Sequence, residues 1–242
     1  MILTTTDYLL VSLTLLVVAM ALFGLRWALR RTGFPAEQRQ PLLRWAGLAA
    51  AGWLMLTTAL AVSGFLREWQ ALPPHLLLVL LPPLGLTIFL LRSRRVGTLL
   101  DALPLAALVA PQVFRVAVEL LLWLLYREGR LPVQMTFEGR NWDVFVGLTA
   151  PLMAGLLSRN PRPAVAIAWN VAGLLILGNI VVVAILSTPL PFRQFWNEPA
   201  NTVIADFPWV WLPGVLVPVA YALHLLAWRQ VARRTAVGAA RQ

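Results

Sequence analysis

Residues 8–31 read YLLVSLTLLVVAMALFGLRWALRR, an apolar run of membrane length that stops in a cluster of arginines. That unit decides the fold, because a helix of about 20 apolar residues crosses a hydrocarbon core of roughly 30 Å. Six further apolar stretches bounded by charges or prolines follow it. Spans are expected at 8–29, 43–66, 74–91, 104–126, 142–158, 164–187 and 208–228. The fifth is short, so it must stand upright or thin the bilayer locally. The fourth is interrupted by Pro104 and Pro111. With 60% hydrophobic residues, 12% charged and 11 tryptophans, the chain is too apolar for a soluble domain of 242 residues. The expected fold is an all-α membrane protein: a single domain over 1–242 forming a bundle of seven transmembrane helices.

Orientation follows from the arginines. All 20 basic residues are arginine and none is lysine. Arg26, Arg30, Arg31, Arg39 and Arg44 follow span one, Arg92, Arg94 and Arg95 span three, and Arg159 and Arg162 span five. Arg229, Arg233, Arg234 and Arg241 occupy the tail. The opposite side carries Arg67, Arg127, Arg130, Arg140 and Arg193, together with seven of the ten acids. The positive-inside rule then puts the N-terminus outside and the C-terminus in the cytoplasm. The net charge of +10 reads as a topology signal with attraction for anionic lipid, and no soluble basic module is present to bind nucleic acid. Ala19-Met20-Ala21 matches a small-x-small cleavage site, but Met1 to Tyr8 carries Asp7 and no positive charge. The first helix is expected to be retained.

Residue types exclude much chemistry. Without lysine there is no retinal or pyridoxal Schiff base. Without cysteine there are no thiolate metal sites, iron–sulfur clusters or disulfides. Two histidines, His75 at the outer edge of span three and His224 in the inner half of span seven, are too far apart to share a metal or haem. No metal and no cofactor is expected.

Small residues and prolines describe packing. Gly147, Pro151 and Gly155 form a stripe along span five, and Ala46, Gly47, Ala50 and Ala51 form another in span two. Such stripes let helices approach closely within a chain or across a homo-oligomer. Spans three and seven begin with prolines and carry more inside (Pro82, Pro83; Pro213, Pro218), which implies kinks or unwound stretches lining a cavity.

Pairing spans 1–3 with 5–7 around a linker span gives a three-plus-one-plus-three scheme, faintly echoed by Pro41…Trp45-Ala46-Gly47 and Pro163…Trp169-Asn170-Val171-Ala172-Gly173. With seven helices and an outside N-terminus, this architecture resembles the PQ-loop and SWEET sugar transporters. The dipeptide Pro111-Gln112 stands in the linker span, away from that family's motif position. Pro218-Val219-Ala220-Tyr221 resembles part of the seventh-helix motif of G-protein-coupled receptors, with Val217 in place of its leading Asn. The stretches 135–141 and 197–202 resemble uncharacterised bacterial multi-pass membrane proteins, which carry no function over. Arginine-, alanine- and leucine-rich usage resembles that of GC-rich bacterial genomes, so a bacterial inner membrane is the expected location.

The constellation that stands out is Gln112, Arg115 and Glu119 in span four, placed on one helical face by spacings of three and four. Charges at that depth cost roughly 2.5–3.5 kcal/mol each on the lenient insertion scale, so they are expected to face the bundle interior and to pair with one another. Asn170 and Tyr221 are candidate partners. The pair could simply fix helix register. It could also serve a substrate or proton site, with Arg115 holding an anionic group and a desolvated Glu119 taking up a proton. A second cluster lies in the outer loops: Glu138, Arg140, Asn141, Asp143, Arg193, Glu198 and Asp206, among aromatic residues. It reads as an interfacial belt, as a lid over a vestibule, or as a hard-cation site. The function expected is a transporter or permease for a small polar or anionic solute, proton-coupled through the Arg115/Glu119 pair. The alternative is a receptor, sensor or assembly subunit acting through a protein partner.

Overall fold

The computed structural model describes residues 3–159 and 162–239. Among these residues the regular structure is helical throughout, with no strand. The principal helices are α1 (Thr5–Arg31), α2 (Ala36–Val62), α3 (Leu77–Arg92), α4 (Arg94–Asp101), α5 (Ala106–Val109), α6 (Phe114–Arg127), α7 (Asp143–Arg159), α8 (Pro163–Leu186) and α9 (Val217–Ala239). Each expected apolar segment coincides with helix. Among the described residues, five helical stretches are long and apolar enough to cross a membrane: α1, α2, α5–α6, α8 and the stretch containing α9. A sixth is reached if α3 and α4 count as one span broken by a 78° bend. Helix α7, at 17 residues, is shorter. Arg241 of the basic tail lies outside the described residues.

Local chemistry sets the boundaries. Helix α1 opens on a capping box, in which Asp7 N–H donates to Thr4 Oγ1 (3.3 Å) and Thr4 N–H to Asp7 Oδ2 (2.9 Å). Helix α2 stops before Gly64, whose φ of +76° suits a residue without a Cβ. Pro111 removes a helical donor, and the chain passes through a 3-10 turn at Ala110–Val113 between α5 and α6. Helix α3 runs unbroken through Pro82 and Pro83, whereas the chain before α9 forms a π segment at Leu212–Leu216. Pro218 cannot donate to the Gly214 carbonyl, and Trp53 Nε1 on α2 donates to it instead at 2.8 Å.

Polar contacts define the two ends of the bundle. At one end Asp7 Oδ1 accepts from Trp209 Nε1 (2.6 Å) and pairs with Arg130 (3.1 Å), joining the start of α1 to the 128–142 connection and to the approach to α9. At the other end Arg233 pairs with Asp101 (2.6 Å), while Arg229 Nη2 donates to the Ser93 carbonyl and Arg234 Nη2 to that of Leu103, each at 2.8 Å. These side chains satisfy carbonyls that the ends of α3 and α4 leave open. An apolar cluster that includes Leu10, Val118, Leu122, Leu177, Trp209 and Leu216 fills the centre.

The long connections pack inward. Leu131, Gln134, Met135 and Thr136 in the first, and Asn201, Val203, Ile204 and Ala205 in the second, are buried. Gln134 Nε2 donates to Ser187 Oγ at 3.0 Å, and Asn201 Nδ2 to the Ala184 carbonyl at 3.1 Å, tying both connections to the end of α8. They form a folded cap over this end of the bundle.

Candidate functional site

The 3-10 turn and α6 present Gln112, Arg115 and Glu119 on one inward face, each 1% exposed. Arg115 carries the centre of the site. Its Nε lies 2.6 Å from Asp143 Oδ2 and its Nη2 bonds Asp143 Oδ1, a bidentate buried ion pair. Its Nη1 lies 2.8 Å from His224 Nε2 on α9. A guanidinium only donates, so His224 Nε2 accepts. The imidazole proton then sits on Nδ1, which donates to Asn170 Oδ1 on α8 at 2.9 Å. Asn170 Nδ2 donates in turn to the Ala166 carbonyl at 2.7 Å.

Glu119 takes a different partner. Its Oε1 accepts from Asn141 Nδ2 at 2.7 Å, and Asn141 Oδ1 accepts from the Asp143 backbone N–H at 3.1 Å, capping α7. A continuous polar chain therefore runs Glu119–Asn141–Asp143–Arg115–His224–Asn170. It ties α6, the first long connection, α7, α9 and α8 together.

This corrects the expected Arg115–Glu119 pair: Arg115 pairs with Asp143, 28 positions along the chain. The reason lies in where α7 begins. The 128–142 connection folds back into the bundle, so α7 starts alongside the middle of α6 and delivers both Asp143 oxygens to the guanidinium. Gly147 permits that approach, since a Cβ there would stand 2.8 Å from the Val116 backbone nitrogen. Asn141 and Asp143, expected in an outer vestibule, are buried parts of the site for the same reason.

The remaining vestibule residues do not gather. Glu138 accepts from Trp123 Nε1 (2.7 Å), and Arg140 lies over the Phe195 ring (5.0 Å). Arg193 pairs with Glu198 (3.0 Å), and Arg67 forms a bidentate pair with Asp206 (2.6 and 2.7 Å). The hydrogen-bonded Asp206 carboxylate holds the Arg67 guanidinium further above its ordinary range. Among the described residues no group of three or more histidine, aspartate or glutamate side chains is placed to hold a metal ion. The hard-cation grouping of Glu138, Asp143, Glu198 and Asp206 is therefore not assembled.

Of the span-four partners, Asn170 enters the network. Tyr221 sits half-buried on α9, one turn before His224. Gln112 Nε2 donates to the Ala220 carbonyl at 3.2 Å, and its Oε1 is buried without a partner. His224 is a site residue that sequence reasoning used only to exclude metals. Its signal was present: an ionisable side chain flanked by Ala222, Leu223, Leu225 and Leu226 within a span. Gly173 makes its room, because a Cβ there would stand 2.6 Å from His224 Nε2.

Beside this network lies a cavity of about 160 Å³. Its walls are almost wholly apolar, from Leu80 on α3, Val118 and Leu122 on α6, Leu177 and Ile180 on α8, and Leu212. Glu119, Asn141, Asp143 and Thr188 supply its polar side chains. Glu119 Oε2 is fully buried and has no hydrogen-bond partner.

Long apolar helices around a buried ionic network define an all-helical protein of the kind that embeds in a membrane. A family model described as Domain of unknown function (DUF8737) matches residues 72–232, and the chain belongs to that family. The match runs from the approach to α3 into α9, so every member of the polar chain falls inside it. No curated protein and no solved structure matches the chain.

Proposed function

We propose that this protein is a multi-pass inner-membrane protein of a bacterial cell with seven spans, its N-terminus outside and C-terminus cytoplasmic, that moves a small solute through the cavity beside Glu119. The arginine asymmetry supports the orientation, with Arg229, Arg233 and Arg234 at the end of the bundle opposite Asp7. On this reading α7 crosses as a short fifth span, its start recessed beneath the folded cap.

One observation carries the transport reading: a buried carboxyl oxygen without a partner, on a residue that lines an apolar cavity. Among the described residues five buried side-chain oxygens lack a partner, and Glu119 Oε2 is the one on an ionisable group. The others are amide oxygens of Gln112, Gln134, Asn201 and Gln230. An open acceptor costs about 1–3 kcal/mol, more for a charged group. A residue that exchanges partners during a cycle requires one. The coupling group is then Glu119 by itself, since Arg115 is committed to Asp143 and His224. Occupied in this way, Arg115 offers little to an anionic solute, so an uncharged or cationic solute suits the cavity better.

A specific observation also favours the second reading, a subunit that works through a partner. Helix α2 is mostly uncovered: Gly47 has nothing within 4 Å of a would-be Cβ and Ala51, one turn on, is exposed, leaving a small-residue face open to another helix. Proteoliposomes separate the two. Uptake of a solute from a panel, driven by a pH gradient and abolished in Glu119→Gln, supports transport. Absence of flux for every solute, with a second protein co-purifying through α2, supports the subunit reading.

A further inference from the structure

The polar side chains that line the cavity can be accounted for atom by atom. Asn141 Nδ2 is used by Glu119 Oε1 and the Met135 carbonyl, and its Oδ1 by Asp143 N–H. Both Asp143 oxygens are held by Arg115. Thr188 Oγ1 donates to the Ile185 carbonyl at 2.5 Å. Glu119 Oε2 remains. Among these side chains the wall thus offers an acceptor and no spare donor once Glu119 is ionised; when protonated it offers a single uncharged O–H, which gives a carboxylate or a phosphate no compensating charge. It offers one carboxyl that nothing beside it neutralises, because the Arg115 and Asp143 charges compensate each other.

We propose that the cavity binds an amphiphilic amine: an ammonium group on Glu119 Oε2, with an alkyl or aryl body against Val118, Leu122, Leu177 and Ile180. A buried carboxylate needs a positive partner, and either a proton or an ammonium can serve. The exchange balances in charge: Glu119–COOH plus R–NH3⁺ gives Glu119–COO⁻·R–NH3⁺ plus one released H⁺. The charged and titratable groups facing this exchange are Arg115 on α6 and Asp143 on α7, paired with each other. His224 on α9 is bonded to Arg115, and Tyr221 lies one turn from it. Helices α3 and α8 bring apolar side chains to the wall. The inference rests on the cavity reading above and names its ligand class.

The test compares three six-carbon chains that differ only in the head group: hexylammonium, hexanol and hexanoate. Binding to the purified protein is followed by calorimetry in two buffers of different ionisation enthalpy, which counts protons released. The expected result is hexylammonium binding at least tenfold tighter than hexanol, no hexanoate binding, and close to one proton released per amine. Glu119→Gln, which can keep the Asn141 bond through its own Oε1, loses the amine preference but still takes hexanol. Leu177→Trp, which fills the cavity and leaves Glu119 intact, loses both. Equal affinity for hexanol and hexylammonium, or undiminished amine binding by a folded Glu119→Gln protein, overturns the proposal. Amine binding without flux in proteoliposomes removes the transport reading and leaves this one. Flux of another solute without amine binding does the reverse.

Discussion

Replacing Asp143 with asparagine isolates the buried charge of Arg115. The guanidinium is 1% exposed and receives two of its three side-chain contacts from Asp143. Asparagine fills the same volume but removes the compensating charge and one of the two acceptors. His224, which is neutral while it accepts from Arg115, cannot supply the lost charge. Removing one partner of such a buried pair costs about 3–5 kcal/mol, because the other charge is left without compensation. Solvent screening is too weak here to soften that figure, with both side chains almost wholly covered. The double variant Arg115→Gln with Asp143→Asn removes both charges and should recover a large part of the loss. Unfolding in mixed micelles with rising SDS, followed by fluorescence of the 11 tryptophans, measures both variants. A loss below about 1 kcal/mol for Asp143→Asn, or a double variant no better than the single, would refute the reasoning.

Other outcomes follow from the same contacts. Gly173→Ala pushes a methyl into the His224 imidazole and should cost about 1–3 kcal/mol as overpacking, with loss of the Nδ1 proton's Asn170 partner visible by nitrogen NMR of labelled histidine. Arg67→Ala removes an ion pair whose arginine is 58% exposed, so its effect should stay within about 1 kcal/mol and shrink in high salt. The chain has no native cysteine, so Glu198→Cys should react with an impermeant maleimide from the outside and Glu37→Cys only from the cytoplasmic side.

The helices were legible because lipid leaves a strong mark on sequence. Apolar runs bounded by charges or prolines place α1, α5–α6 and α8 to within about three residues, since an unpaired backbone group in hydrocarbon is so costly; α2 starts seven residues before the expected span, its first two turns being polar. The face carrying Gln112, Arg115 and Glu119 was legible from helical spacing alone. Its partners were not. Asp143 opens a helix, where an acid is the ordinary complement to the helix dipole, so nothing in the sequence marks it as buried. Its position depends on how deeply the 128–142 connection folds, which is set by tertiary contacts such as Gln134 with Ser187. The Gly173–His224 fit is likewise a meeting of two helices that a one-dimensional reading cannot register. The outer loops looked polar enough for a solvated belt because their buried residues, Asn141, Thr188 and Asn201, turn their donors inward to protein acceptors.

The central claim is that the cavity beside Glu119 lies on a solute path. The direct measurement is the reactivity of a single cysteine on its wall, Leu177→Cys, with 2-aminoethyl methanethiosulfonate in native membranes. It is compared with Leu175→Cys, whose side chain faces away from the bundle and is 69% exposed. The account predicts faster modification at 177 than at 175, slowed by hexylammonium. Modification at 177 only after unfolding in SDS, with no effect of the amine, would contradict it.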